Sequence, residues 1–490
     1  MLLEYARSES YLILRDSPVQ KIWHGSLSIP DSCFSNLGTL IVGGCQFLSD
    51  AVLPFNLLPL LPKLEELEVK NCEYVKTIFD VKYITQDRKM TTMGATSIPL
   101  PFPLKKLTLS ELPNLENVWN EHPHRIPRMQ LLQEVYVDNC KRLASVFPTS
   151  VAKDLLKLEN LVVKHCEGLM AVVAEHNADP KGTNLELTFP SVKSLTLWDL
   201  PKFNYNGIYC IHDATKIIEL TPNLQHLTLG QNELKMILHG EIQGNHLNKL
   251  KVLTLCFHVE SDVFPHGFLQ PVPNIEELVV CDGSFKEIFC LQSPNVDDTT
   301  LLSQLKVLRL ESLPELVSIG SLNLVPCTMS FSNLTKLKVK SCNSLLCLFT
   351  SSTAKNLAQL QNMEIEFCES IKEIVSKEGD ESHEDEITFP QLNCLVLKDL
   401  PDLRSFYEGS LSFPSLEKLS VIKCHGMETL CPGTLKADKL LGVQLKSGYS
   451  DVMPLEIDLK STIRKAFLAE IPFRMESACY SLAIITYPTF

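Results

Sequence analysis

Fifteen times between Leu37 and Leu445 three apolar residues recur at offsets 0, +3 and +5, with polar or mixed residues between them. The triplets are Leu37/Leu40/Val42, Leu64/Leu67/Val69, Leu104/Leu107/Leu109, Leu132/Val135/Val137, Leu158/Leu161/Val163, Val192/Leu195/Leu197, Leu224/Leu227/Leu229 and Leu250/Leu253/Leu255. The series continues with Ile275/Leu278/Val280, Leu305/Leu308/Leu310, Leu334/Leu337/Val339, Leu360/Met363/Ile365, Leu392/Leu395/Leu397, Leu416/Leu419/Val421 and a weak Leu440/Val443/Leu445. Side chains alternate in extended chain, so each triplet predicts a short strand with +3 and +5 on one face and +2, +4 and +6 on the other. One such strand cannot cover its apolar face. Successive triplets start 24 to 40 residues apart, which leaves room to cross back and stack the next strand in parallel on the last.

The pattern predicts an α/β leucine-rich-repeat solenoid, a curved horseshoe with a parallel sheet on the concave face and irregular or short helical segments on the convex side. Residues 1–36 read as a degenerate N-terminal repeat or cap, 37–448 as an array of about 15 repeats, 449–473 as a C-terminal capping segment and 474–490 as an irregular tail. Within the capping segment Leu459, Ile463 and Phe467 share one face of a predicted helix that would cover the last rung. The longer gaps hold insertions that read as solvated loops: Lys82–Ser97, Glu175–Asn184 and the acidic run Glu378–Glu386. That run lacks the ligand spacing of a calcium loop.

Offset +8 is a further slot. It holds Cys45, Cys72, Cys140, Cys166, Cys342, Cys368 and Cys424, or Leu followed by Pro at Leu112, Leu200, Leu313 and Leu400. A thiol there serves as a small apolar filler between rungs. The 17 cysteines include no C-x-x-C pair, and the slot thiols are not expected to face one another as bridge partners must. A reduced compartment follows, and the single sequon at Asn333 agrees with it.

Charge narrows the function. A net charge of −13 leaves no basic footprint for nucleic acid. The longest apolar stretch, Ala51–Pro62, is interrupted by Pro54, Asn56 and Pro59, so no membrane span is predicted. The N-terminus lacks the basic flank and long apolar run of a secretory signal, which predicts a cytoplasmic chain, or one found in the nucleus or held at a membrane through partners. No catalytic motif is present: H-E-x-x-H and G-x-S-x-G are missing, and His122-Pro123-His124 reads as a turn. An enzyme, a cofactor and a metal site are therefore not expected.

Cysteine and Leu-Pro rungs alternate, and their downstream text repeats: Cys140–Phe147 echoes Cys342–Phe349, and Glu111–Trp119 echoes Glu311–Ile319. With the link Glu386-Ile387-Thr388-Phe389-Pro390-Gln391-Leu392 and the segment Ile457–Phe467, these paired rungs resemble the leucine-rich-repeat region of plant intracellular coiled-coil/nucleotide-binding/leucine-rich-repeat disease-resistance proteins. The resemblance implies a module that recognises a protein, either a pathogen effector or a modified host protein. It also implies a nucleotide-binding domain in a parent or paired receptor as a second partner, since the phosphate loop G-x-x-x-x-G-K-[ST] of that switch occurs nowhere in this sequence. The rival readings are a leucine-rich-repeat adaptor of a ubiquitin ligase and a regulatory scaffold. Candidate binding residues are those at +2, +4 and +6 with interface character: Glu134, Tyr136, Asp138, Trp198, His226, Arg309, Glu311, Lys336, Lys338, Lys340, Glu364 and Glu366. Two plainer readings stand beside them. Trp198 would pack on a neighbouring segment, and the triple-lysine strand would pair with Glu364 and Glu366 across the sheet.

Overall fold

The computed structural model describes residues 10–16, 34–46, 48, 51–54, 58, 60–80, 102–120, 128–174, 187–203, 214–239, 246–258, 264, 272–289, 303–320, 331–377, 386–427, 429–445, 452–454 and 461. Two compact units divide the chain, Met1–Leu250 and Lys251–Phe490. In the first, the strands Tyr11–Arg15, Thr39–Gly43, Glu66–Lys70, Lys106–Ser110, Glu134–Asp138, Asn160–Lys164, Ser194–Trp198 and His226–Gly230 pair in parallel, each with the next. In the second, Val252–Cys256, Glu277–Cys281, Val307–Glu311, Lys336–Lys340, Asn362–Glu366, Cys394–Lys398, Lys418–Ile422 and Gly442–Gln444 do the same. Val452–Pro454 adds an antiparallel strand beyond Gly442–Gln444. The predicted capping helix over Leu459–Phe467 lies outside the described residues.

Register follows the triplets. Leu161 stands opposite Val135 on one side and Leu195 on the other, and the +5 residues align likewise. Leu195, Leu197, Leu337 and Val339 are fully buried, while the residues between them are half-exposed. A one-residue slip would turn every leucine to solvent, so the alternation fixes the pairing. Tyr11–Arg15 adds a rung before Leu37: Leu12 and Leu14 are buried, while Tyr11 and Ile13 face outward. Its offset-0 position is Glu9, which removes the leading leucine of the triplet.

Beyond the +8 slot the chain forms a second set of short parallel strands. Leu53–Pro54, Thr77–Asp80 and Asn117–Trp119 make one such sheet, Ser145–Pro148 and Ala171–Ala174 another, and Glu386–Thr388, Ser410–Ser412 and Leu435–Lys436 a third. Among the described residues the helices are few and short: Thr149–Ala152, Ala214–Glu219, Gln231–His239 and Ser351–Lys355. Aromatic rings fill the core under these strands. Phe79 stacks on Trp119 at 5.6 Å between ring centres, and Trp119 meets Phe147 at 5.7 Å.

The slot itself is built by one backbone device. All thirteen described residues with positive φ immediately follow a ladder strand: Asp16, Gly44, Asn71, Glu111, Asn139, His165, Asp199, Asp282, Ser312, Ser341, Phe367, Asp399 and Lys423. The left-handed turn extends the ladder by one bond while aiming the next residue inward. Thus the N–H of Glu111 donates to the carbonyl of Asp138, and that of His165 to Trp198, at 3.0 Å each. The seven slot cysteines are fully buried. Their thiols donate back two residues, as Cys166 does to the Lys164 carbonyl at 3.2 Å and Cys72 to Lys70 at 3.3 Å. They also accept from the preceding rung: the Leu112 N–H meets the sulfur of Cys140, and the Leu313 N–H that of Cys342. Burial pushes the Cys72 thiol up to about 11. None of the twelve described cysteines is joined in a disulfide. One expectation is corrected here, because the slot thiols of successive rungs do come side by side, Cys140 with Cys166 and Cys342 with Cys368. Parallel in-register stacking repeats equivalent positions about 4.8 Å apart, which puts neighbouring sulfurs in contact.

Candidate functional site

On the exposed face of the first unit's ladder, +4 and +6 residues of three strands converge. The Tyr136 hydroxyl donates to Asp138 Oδ2 at 3.0 Å, and the Lys164 ammonium lies 5.3 Å from the centre of the Tyr136 ring. Lys164 Nζ is 3.3 Å from Asp138 Oδ2, and His165 Nδ1 is 2.8 Å from Asp138 Oδ1. The His165 ring in turn meets Trp198 at 4.8 Å between centres. Partial burial works to raise the Asp138 pKa, but the hydrogen bonds from His165 and Tyr136 and the Lys164 charge outweigh it, so the carboxyl is held below its ordinary value. The tyrosine hydroxyl and the Asp138 charge hold the Lys164 ammonium above its ordinary value. The result is a half-buried group of three rings, an ammonium and a carboxylate, held together by contacts within the chain.

Trp198 is wedged as well as displayed. A Cβ on Gly230 would come within 2.9 Å of Trp198 Cδ1 and 2.5 Å of Glu233 Oε2, so glycine is required beneath the indole. Packing on a neighbour and partial exposure are therefore both true of this ring. Glu233 belongs to the helix Gln231–His239, which replaces the usual turn after His226–Gly230. Its Oε1 accepts from the Leu200 N–H at 2.9 Å, the task a slot thiol performs elsewhere. Burial raises this carboxyl to about 7, with the Asp199 charge adding to it.

The remaining candidates separate. Glu134 pairs with Lys106 at 3.5 Å at the start of its strand, and His226 stands exposed on the strand after Trp198. In the second unit Arg309 Nε lies 3.0 Å from Glu277, and Lys336 and Lys338 each lie 3.5 Å from Glu364. Cross-strand pairing thus accounts for two of the three lysines, and such half-exposed pairs contribute little. The third, Lys340, sits 5.9 Å from the ring of Phe367, with Lys398 at 5.0 Å on the other side. Glu366 stands between these two lysines in register, and Glu311 beside Lys340. Phe367 is 37% exposed in a left-handed conformation, which is rare for a bulky residue. It lines an open hollow of about 790 Å³ with Ser341, Asn343, Asp399, Lys423 and His425. The offset rule missed Lys164 and Lys398, which do occupy +6, and missed His165 and Phe367, which sit one residue past it. The signal for the latter two was their departure from the Asn, Asp, Ser or Gly that left-handed turns favour.

These geometries define a leucine-rich-repeat protein with polar and aromatic side chains clustered on an exposed strand face, and no helix among the described residues is long and apolar enough to cross a membrane. The family "Plant disease resistance protein RPS2-like, leucine-rich repeats" matches residues 8–167, 223–369 and 360–444, and the chain belongs to that family. Relatives from Arabidopsis thaliana include disease resistance protein At4g27190, 28% identical over 44% of this chain and 21% of its own length. Disease resistance protein RPS5 from the same plant is 27% identical over 50% of this chain and 28% of its own length. The chain thus spans between a fifth and a third of these relatives. Among solved structures, an internalin from Listeria monocytogenes covers 77% of this chain and 83% of its own at 14% identity and a TM-score of 0.34. A leucine-rich-repeat protein from Bacteroides thetaiotaomicron covers 84% and 50% at 12% identity and a TM-score of 0.40.

Proposed function

We propose that the chain is the protein-reading part of a plant innate immune receptor, binding a pathogen effector or a modified host protein in the cytoplasm through the exposed ladder face. Family membership supports the class of function, and the Tyr136–Asp138–Lys164–His165–Trp198 cluster supports the face. Rings held half-buried among satisfied charges are what a protein interface uses as anchors. The reading involves no catalytic step. The nucleotide switch of such receptors resides, on this reading, in a nucleotide-binding domain of a longer parent chain or of a paired receptor, and ligand binding shifts the equilibrium of that switch.

A partner isolated with the unaltered chain from plant extract provides the assay by surface plasmon resonance. Tyr136→Ala and Trp198→Ala each weaken binding by about 1–4 kcal/mol, while Leu156→Ala, at an exposed position before its strand, leaves it unchanged. Melting curves accompany each variant because Trp198 also packs. Lower melting with unaltered affinity in both aromatic variants would place recognition elsewhere on the chain.

A further inference from the structure

Among the described cysteines of the second unit that lie outside the slot, two stand side by side. Cys256 and Cys281 occupy +6 on adjacent parallel strands and are direct register partners on the exposed face. Their sulfurs are 3.0 Å apart, and the Cys281 thiol also reaches the Leu255 carbonyl at 3.6 Å. Cys281 is half-exposed, and Cys256 is 7% exposed. The slot in these rungs is filled differently. Offset +8 is His258 and Gly283, and the rings of Phe257, Phe264 and Phe285 occupy the interior at 5.0–6.1 Å from one another. A Cβ on Gly283 would fall 2.1 Å from the Phe285 ring, so no thiol fits there. The slot-filling role of the other thiols therefore does not explain the face cysteines.

We propose that Cys256 and Cys281 form a dithiol modification site that exchanges with low-molecular-weight disulfides and closes to an intramolecular disulfide on the exposed face. The Cys281 thiolate, being the more accessible, attacks one sulfur of R–S–S–R and expels RS⁻, leaving a mixed disulfide. The Cys256 thiolate then attacks the Cys281 sulfur and expels the second RS⁻. Both expelled thiolates take up the protons that the two cysteines lost, so the protein loses two hydrogens and the small disulfide is reduced to two thiols. In-register strands place Cα atoms about 4.8 Å apart, inside the range of roughly 4.4–6.8 Å that a disulfide spans. The sulfurs need to close by about 1 Å. The neighbouring Cys256 sulfur, burial and the Asp282 charge push the Cys281 thiol up, which slows the first attack, whereas the second is intramolecular and fast. The pair Cys342 and Cys368 also stands side by side but is sealed in the core, so it serves as an internal control.

The full chain, reduced and then freed of reductant, is incubated with oxidised glutathione, quenched with N-ethylmaleimide and digested without reduction for mass spectrometry. The expected product is a linked peptide containing Cys256 and Cys281, with Cys342 and Cys368 still free. In Cys256→Ser, Cys281 is expected to stop as a mixed disulfide with glutathione, and in Cys281→Ser no link forms. Circular dichroism confirms that both variants keep the parent fold, and Cys256→Ala replaces the serine variant if it does not. Absence of the Cys256–Cys281 link in folded parent protein overturns the proposal. Linkage of Cys342 to Cys368 at an equal rate also overturns it, since it would show that reaction follows unfolding.

Discussion

Glu233 concentrates at one residue what distinguishes its rung. A helix replaces the left-handed turn after Gly230, so no slot side chain meets the Leu200 N–H, and the carboxyl of Glu233 takes that role from within the core. Burial raises its pKa from 4.5 to about 7, and Asp199 is the charged neighbour that adds to the rise. Between those values the native state holds a proton that the unfolded chain has released. Stability therefore falls as pH rises through that window and levels off above it, by at most about 3 kcal/mol. Glu233→Gln keeps the acceptor and removes the titration, so its melting temperature should vary less than the parent's between pH 5 and 8 and exceed it at pH 8. Equal pH profiles in scanning calorimetry would show that Glu233 does not titrate there. Nothing in the sequence announced this residue, because offset +9 carries meaning only once the helix displaces the turn. By contrast Tyr136, Asp138 and Trp198 were legible as a set, since strand alternation alone puts +4 and +6 outside. Their joining through His165 was not, because that contact depends on a left-handed residue swinging its ring back over the strand.

The single rung is an element that exists only between two others. Leu195 and Leu337 are fully buried, each with ladder partners on both sides. Leu195→Asp or Leu337→Asp places an unpaired carboxylate in that layer at a cost of several kcal/mol, and nearest-neighbour coupling passes the damage to adjacent rungs. Circular dichroism melts and limited proteolysis should show lower melting and cleavage near the altered rung, and parent-like melting in both variants would refute the strand assignment. The ladder was legible because the triplet couples a period of two to a fixed slot at +8. The second set of strands was less so. Pieces such as Leu53–Pro54 and Phe349–Thr350 are two residues long, too short for alternation to register. The acidic insertion illustrates the remaining boundary: Glu386, its last residue, begins a strand and pairs with Lys436 at 2.9 Å, so the end of a charge run belongs to the scaffold.

At the scale of the whole molecule, seven cysteines, four in the first unit and three in the second, report on the interior of each unit. Because all seven slot thiols are buried, alkylation of native protein should spare them and reach them only as neighbouring rungs open. Timed alkylation with peptide mass spectrometry is expected to release Cys342 and Cys368 together, as neighbours in one cooperative stretch, and independent release at unrelated rates would argue against coupled rungs. The row of left-handed residues has a different consequence, for how such a chain can change. Each of these residues directly follows its own ladder strand. Replacing Asn or Asp there by a residue such as His165, Phe367 or Lys423 costs about 1–2 kcal/mol of local strain and, for rungs far apart, adds without amplification. A lineage can therefore rewrite the outward chemistry of one rung at a time, with a bounded and predictable loss of stability, and leave the leucine ladder unread by selection on the ligand.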